Sequence, residues 1–258
     1  MKTIKSILLI ACAALIFAGC KKDNYAPQDA AIHGALTDAQ IGGPLQLSED
    51  GNNSNVRLLV NDKAKYPAPT PQDLTVFQDG TYNNSLIFAE SYKVFPLAGS
   101  GPWQYIAGDS TRVTIGSGQN PAVNFKVAPY FYISTPTVVD STVTFTITKS
   151  TITTITNNLT GSNNLLILIN NFNKVDESIC SNGPGTVYEN KFQFTVTNSV
   201  LGAPLTPTAG TDASTNKPYS FKFSLMHLPH GTYYLRVAIL GAGSSGKFNY
   251  SPIVKITL

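Results

Sequence analysis

Apolar residues recur at every second position through most of the chain. In "TVTFTITKS", residues 142–150, Val143, Phe145 and Ile147 share one face and Thr142, Thr144 and Thr146 the other. "KFQFTVTN" at 191–198 repeats the device with Phe192, Phe194 and Val196, and "YSFKFSLM" and "TYYLRVAIL" follow the same rule. A period of two is the mark of half-buried antiparallel strands. The runs are punctuated by Gly, Pro, Asn and Asp clusters, the residues that turns require. No segment carries a sustained 3.6-residue stripe with helix caps. The pattern therefore predicts an all-β protein.

The first half has its own strands. "IHGAL" and "VRLLV" precede "FQDGTYNNSLIFAESYKVFPL", where Asp79-Gly80 predicts a turn, Tyr82 opens a strand, and Tyr92 alternates with Val94 in the next. A chain of 258 residues has room for two sandwiches of about 100 residues each. The predicted boundary lies near Ala128 to Pro129, where "AVNFKV" hands over to "PYFYI". The expected organisation is two tandem β-sandwich domains, at 31–128 and 129–258.

The N-terminus departs from this pattern. Lys2 and Lys5 precede an apolar stretch from Ile7 to Phe17, and Ala18-Gly19-Cys20 ends it. That stretch is shorter than the ~20 residues a membrane span needs and fits the core of a signal peptide. Small residues directly before Cys20 resemble the bacterial lipobox, which implies cleavage after residue 19 and lipid on Cys20. More than one acyl chain makes such an anchor stable. Residues 20–30, polar with one proline, read as a tether. Without the first 19 residues, 16 basic residues face 15 acidic ones, and no block of like charge exists. Nucleic-acid binding, which depends on clustered Lys and Arg, is not expected.

The chemistry is sparse. With Cys12 in the leader and Cys20 acylated, Cys180 remains as a lone thiol in the polar stretch "DESICSNGPG", with no histidine beside it in sequence. "GAGSSG" at 241–246 matches a dinucleotide fingerprint in letters only, because a strand rather than a helix follows it; a hairpin tip is the simpler reading. His227 and His230 share neither a helix face nor a strand face, and a surface turn suits them better than a metal site. Neither paired carboxylates nor a Ser-His-Asp order is recognisable. The sequence thus predicts neither an enzyme nor a cofactor nor a metal site.

Two aromatic groups stand out. "GSGPWQY" carries the lone Trp103 with Tyr105 in a Gly/Pro-rich stretch, where an exposed ring would stack on a sugar. Packing over a sandwich end or between domains is the stronger reading of Trp103. Tyr130 and Tyr132 in "PYFYI" fall on one strand face, again more simply explained by packing. All four are candidate glycan contacts. Asp109-Ser110-Thr111 and Asp140-Ser141-Thr142 resemble the D-S/T-x sites of Bacteroidetes O-glycosylation, at Ser110 and Ser141; local Asp-Ser turns explain them equally well.

The "DGTY" turn with its later Tyr-x-Val is similar to the carboxypeptidase-regulatory or transthyretin-like sandwich. Leu228, Pro229, Gly231 and Thr232 followed by Tyr233, Leu235, Val237 and Ile239 resemble the F strand of a fibronectin type III domain with its tyrosine corner. "CKKDNY", "DGTY", "GPW" and "VAPYFYI" together resemble an uncharacterised Bacteroidetes lipoprotein family whose members accompany SusC/SusD-type glycan importers. The resemblance implies a surface-exposed, outer-membrane lipoprotein that binds glycan or the importer complex. The competing expectation is a structural spacer or protein-protein adaptor, since fold alone does not fix function.

Overall fold

The structure is a computed structural model that describes residues 26–49, 55–62, 67–106, 108, 110–151, 164–180, 190–194, 219–225, 228–241 and 246–258. The leader, Cys20, Asp109, His227 and residues 242–245 lie outside the described residues. Every regular element described is a strand, so the all-β expectation holds.

Two four-stranded sheets enclose the first core. In one, β1 (Ala30–Asp38) lies between antiparallel β4 (Thr81–Ile87) and parallel β8 (Phe125–Pro129), with β6 (Trp103–Tyr105) beyond β8. In the other, β2 (Asn55–Val60) lies between β3 (Gln72–Thr75) and β5 (Ser91–Pro96), with β7 (Thr111–Thr114) outside β5. Ile32 and Leu36 point from β1 into a core shared with Val56, Leu58, Tyr82, Tyr92 and Val94. Gly34 sits on the same buried face because nothing larger fits. A Cβ there would lie 1.8 Å from the Val123 carbonyl, which also accepts the Tyr82 hydroxyl.

The second core is built likewise. β11 (Thr142–Lys149) pairs with β14 (Tyr219–Ser224) on one side, while β9 (Phe131–Ile133) and β10 (Thr137–Val139) share the other. The facing sheet orders β13 (Lys191–Phe194), β12 (Leu165–Asn170), β15 (Thr232–Leu240) and β16 (Phe248–Tyr250), and β17 (Val254–Thr257) also pairs with β15. Val143, Phe145 and Ile147 meet Leu165, Ile167, Leu235, Val237 and Ile239. The expected closing strand is split in two around Pro252, which has no N–H to donate to a ladder. Ser251 bridges the break: its N–H donates to the Val237 carbonyl, and its hydroxyl accepts the Val237 N–H. Tyr233 donates its hydroxyl to the Pro229 carbonyl at 2.9 Å, four residues upstream, which is the geometry of a tyrosine corner.

The outer faces of β12 and β15 are not left to water. Leu166, Leu168, Ala238 and Tyr250 form a third buried cluster with Val175 and Cys180. Arg236, on the outer face of β15, is completely buried. Its guanidinium donates to the carbonyls of Ser251 (2.9 Å), Val175 (3.2 Å) and Leu47 (2.6 Å), and it stacks over the Tyr250 ring at 4.3 Å. Leu47 belongs to the first sandwich and the other partners to the second, so one side chain stitches the two. Burial lowers the Arg236 pKa to about 9, which leaves it cationic at neutral pH.

Asp176 completes the joint from the second sandwich. One oxygen accepts Ser48 Oγ (2.8 Å) and Glu49 N–H (2.7 Å) from the first sandwich, and the other accepts Ser178 and Ile179 beside it. Gln78 donates to the Asn173 carbonyl, and Lys174 pairs with Glu49.

Candidate functional site

Beside the joint, and sharing Gln46 and Tyr250 with it, the two sandwiches border a cleft of about 520 Å³. The period of β1 carries Ile32, Gly34 and Leu36 inward and therefore turns Asp38 inward as well, at the strand's last position. The chain then reverses through Gln40 to Pro44. Gly42 takes a φ of +77°, Gly42 N–H donates to the Asp38 carbonyl, and Asp38 N–H donates to the Gly43 carbonyl. The Asp38 carboxylate holds this turn through Oδ1, which accepts Gln40 N–H (2.7 Å) and Ile41 N–H (3.1 Å).

From the second sandwich come Phe131, Tyr132, Ile133, Ser134 and Thr135, followed by Asn249, Tyr250 and Pro252. The Tyr132 hydroxyl reaches across the cleft between Asp38 Oδ1 (3.2 Å) and Gln40 Oε1 (3.0 Å). Burial, reinforced by the Asp38 charge, pushes the Tyr132 phenol up to about 12. Asn249 fixes the cleft floor, accepting Phe131 N–H and donating to the Pro102 carbonyl at 2.8 Å. Ile41, 71% exposed, stands at the rim. Mostly apolar walls with a few convergent polar groups are what small-ligand sites share.

Of the four aromatic candidates, Tyr132 alone lines this cleft among the described residues. Trp103 is 1% exposed and packs inside the first core, on strand β6 rather than in a loop; its ring is closed to a sugar. Tyr105 packs half-buried against the same core, and Tyr130 is buried in the second. Trp103→Phe should therefore cost about 2 kcal/mol of stability through the cavity it leaves, with ligand binding unchanged. Urea unfolding checks the first effect and titration calorimetry the second.

Ser110 is exposed. Asp140 (φ 47°) and Ser141 (φ 58°) form the two-residue tip joining β10 to β11, the doubly left-handed geometry that such hairpins need. Cys180 lies in the loop that follows β12 but is fully buried there, its thiol directed at the Ile169 carbonyl, and burial, then the nearby Asp176 charge, pushes that thiol up to about 12. It should resist iodoacetamide in the folded protein and react at once in denaturant, as mass spectrometry would read. His230 is exposed. Among the described residues, no three of His, Cys, Asp or Glu converge as metal ligands.

The sequence argument missed Asp38, Gln40 and Ile41. Their signal is an acid standing where the inward period of β1 calls for an apolar residue, with Gly42-Gly43-Pro44 following after three intervening residues.

Residues 30–128 match the family model described as "Protein of unknown function (DUF3823) N-terminal domain". The DUF3823 match thus spans the first sandwich and includes Asp38 and Ile41. The whole fold is similar to that of a DUF3823 family protein from Parabacteroides merdae, with a TM-score of 0.63 and 20% identity over 90% of this chain and 100% of that one. A DUF3823 family protein from Bacteroides ovatus aligns with a TM-score of 0.59 and 19% identity over 89% and 99% of the two chains. A Bacteroides uniformis structure described as a "putative carbohydrate binding protein" aligns with a TM-score of 0.60 and 21% identity over 90% and 100%. At such identities the likeness is one of fold. No curated protein matches the chain.

Proposed function

We propose that the protein is a lipid-anchored, surface-exposed outer-membrane protein that captures glycan in the cleft between its sandwiches, as an accessory to a SusC/SusD-type importer. The cleft carries the proposal. Sugars offer an apolar C–H face and a rim of hydroxyls; Ile41, Pro44 and Tyr132 offer apolar surface, and Asp38 and Ser134 offer hydrogen-bonding partners. The Bacteroides uniformis relative of like fold, described in carbohydrate-binding terms, supports the same direction. The anchor rests on the apolar run ending at Ala18-Gly19-Cys20. The role is to hold the glycan, not to convert it.

Native gels containing polysaccharide test the proposal. The protein should be retarded by at least one glycan, and Tyr132→Ala should abolish the retardation. No retardation across a broad set would remove the glycan reading. The anchor is tested separately: Cys20→Ala should release the protein from the membrane fraction, and mass spectrometry should find acyl chains on the parent.

A second reading, a rigid spacer or adaptor, is favoured by the joint. Arg236 and Asp176 fix one sandwich against the other, as a spacer of defined length requires. Co-purification of an importer pair in the absence of any sugar would favour it.

A further inference from the structure

We infer that the cleft selects neutral saccharides and rejects acidic ones, those carrying uronate or sulfate groups. The inference rests on the glycan-binding reading and concerns charge within the same cleft. Asp38 is 3% exposed and lines the cleft as its one acidic group among the described residues. Its Oδ1 is occupied by Gln40 N–H, Ile41 N–H and the Tyr132 hydroxyl. The hydrogen bonds that Asp38 accepts among the described residues all go to Oδ1, which leaves Oδ2 as the oxygen able to accept from a ligand. A carboxylate accepts and never donates, so a sugar hydroxyl is the natural partner for that oxygen.

No lysine, arginine or histidine is among the described residues that line the cleft. Lys149 pairs with Phe131 across the ladder but is not part of the lining, and Arg236 lies behind the Tyr250 ring. Its donors are spent on the Ser251, Leu47 and Val175 carbonyls, with a weaker approach to the Gln46 side chain at 3.5 Å. It is completely buried and cannot turn to meet a ligand. An anionic sugar would thus enter a half-enclosed apolar space that holds a negative charge and no mobile counter-charge, where repulsion is poorly screened. Tyr250 adds an unmet group, a buried hydroxyl with no hydrogen-bond partner among the described residues, on a residue of the same lining.

Titration calorimetry on the full-length protein, in a detergent without sugar headgroups, tests this. The probes are neutral cellopentaose, maltopentaose and mannopentaose, set against tetragalacturonate and a chondroitin sulfate tetrasaccharide. A neutral probe should bind at least about tenfold more tightly than either acidic one. Asp38→Asn keeps an acceptor for the Gln40 and Ile41 amides and should narrow that ratio by about tenfold. Thr135→Lys, at an exposed cleft position, should favour the acidic probes without touching the turn. Acidic probes that bind as tightly as neutral ones, or a ratio unmoved by both variants, would overturn the charge selection and leave glycan binding standing. Failure of every probe would remove glycan binding itself.

Discussion

Arg236→Ala is expected to destabilise the protein by about 4 kcal/mol, the range for breaking a buried charged network by removing one member. The guanidinium is fully buried between the sandwiches and donates to carbonyls on both. Its removal leaves the Ser251, Leu47 and Val175 carbonyls without their charged donor and opens a void against Tyr250. Unfolding in urea, followed by far-ultraviolet circular dichroism, reads the loss. Because each sandwich has its own apolar core, the variant should unfold in two separated transitions where the parent unfolds in one. Arg236→Lys should recover less than half the loss, since an ammonium keeps the charge but lacks the planar fork that reaches several carbonyls at once. A loss within about 0.5 kcal/mol for Arg236→Ala would mean that the joint does not depend on it.

This residue marks where the sequence stopped being legible. Alternation correctly sent Val143, Phe145 and Ile147, and Tyr92 with Val94, into their cores, because a strand's inward face is encoded locally. The Asp79-Gly80 turn was legible for a similar reason: Gly80 has a φ of +80°, and a Cβ there would sit 2.8 Å from the Leu36 and Leu45 carbonyls. Alternation assigns the opposite face of "TYYLRVAIL" to solvent, yet Arg236 and Ala238 on it are wholly buried. Ala238 is covered by Val175 and Cys180 from the loop after β12, and Arg236 by that loop and by another almost two hundred positions earlier in the chain. No local pattern carries that information. The same gap explains Cys180, which sits in a polar stretch of sequence and is sealed in the cluster against the outer faces of β12 and β15. It explains the cleft as well, whose walls at Asp38 and Tyr132 come from separate sandwiches. At Trp103 the packing reading agrees with the structure but its place does not: a three-residue strand beside β8 carries the ring into the core of the first sandwich rather than over its end or between domains.

Asp176→Asn should cost about 3 kcal/mol at neutral pH, with a deficit that shrinks in acid. The carboxylate is fully buried and accepts hydrogen bonds from Ser48, Glu49, Ser178 and Ile179. An amide in its place keeps one acceptor atom and turns an N–H₂ toward the donor on one side, so either the Glu49 or the Ile179 amide loses its acceptor. Burial raises the Asp176 pKa, but the hydrogen bonds from Ile179, Ser178, Ser48 and Glu49 outweigh it, and the net value lies below the ordinary one. In the unfolded chain the group titrates near ~3.9. A folded pKa below the unfolded one means that the unfolded state takes up the proton first as pH falls. The stabilisation is therefore complete well above pH ~4 and is lost as pH drops through that value toward the folded pKa. The asparagine variant has no such proton to bind. Its urea midpoint should lie well below the parent's at pH 7 and at pH 5, and approach it at about pH 3 and below. A gap of constant size across that range would show that the Asp176 charge does not stabilise the joint.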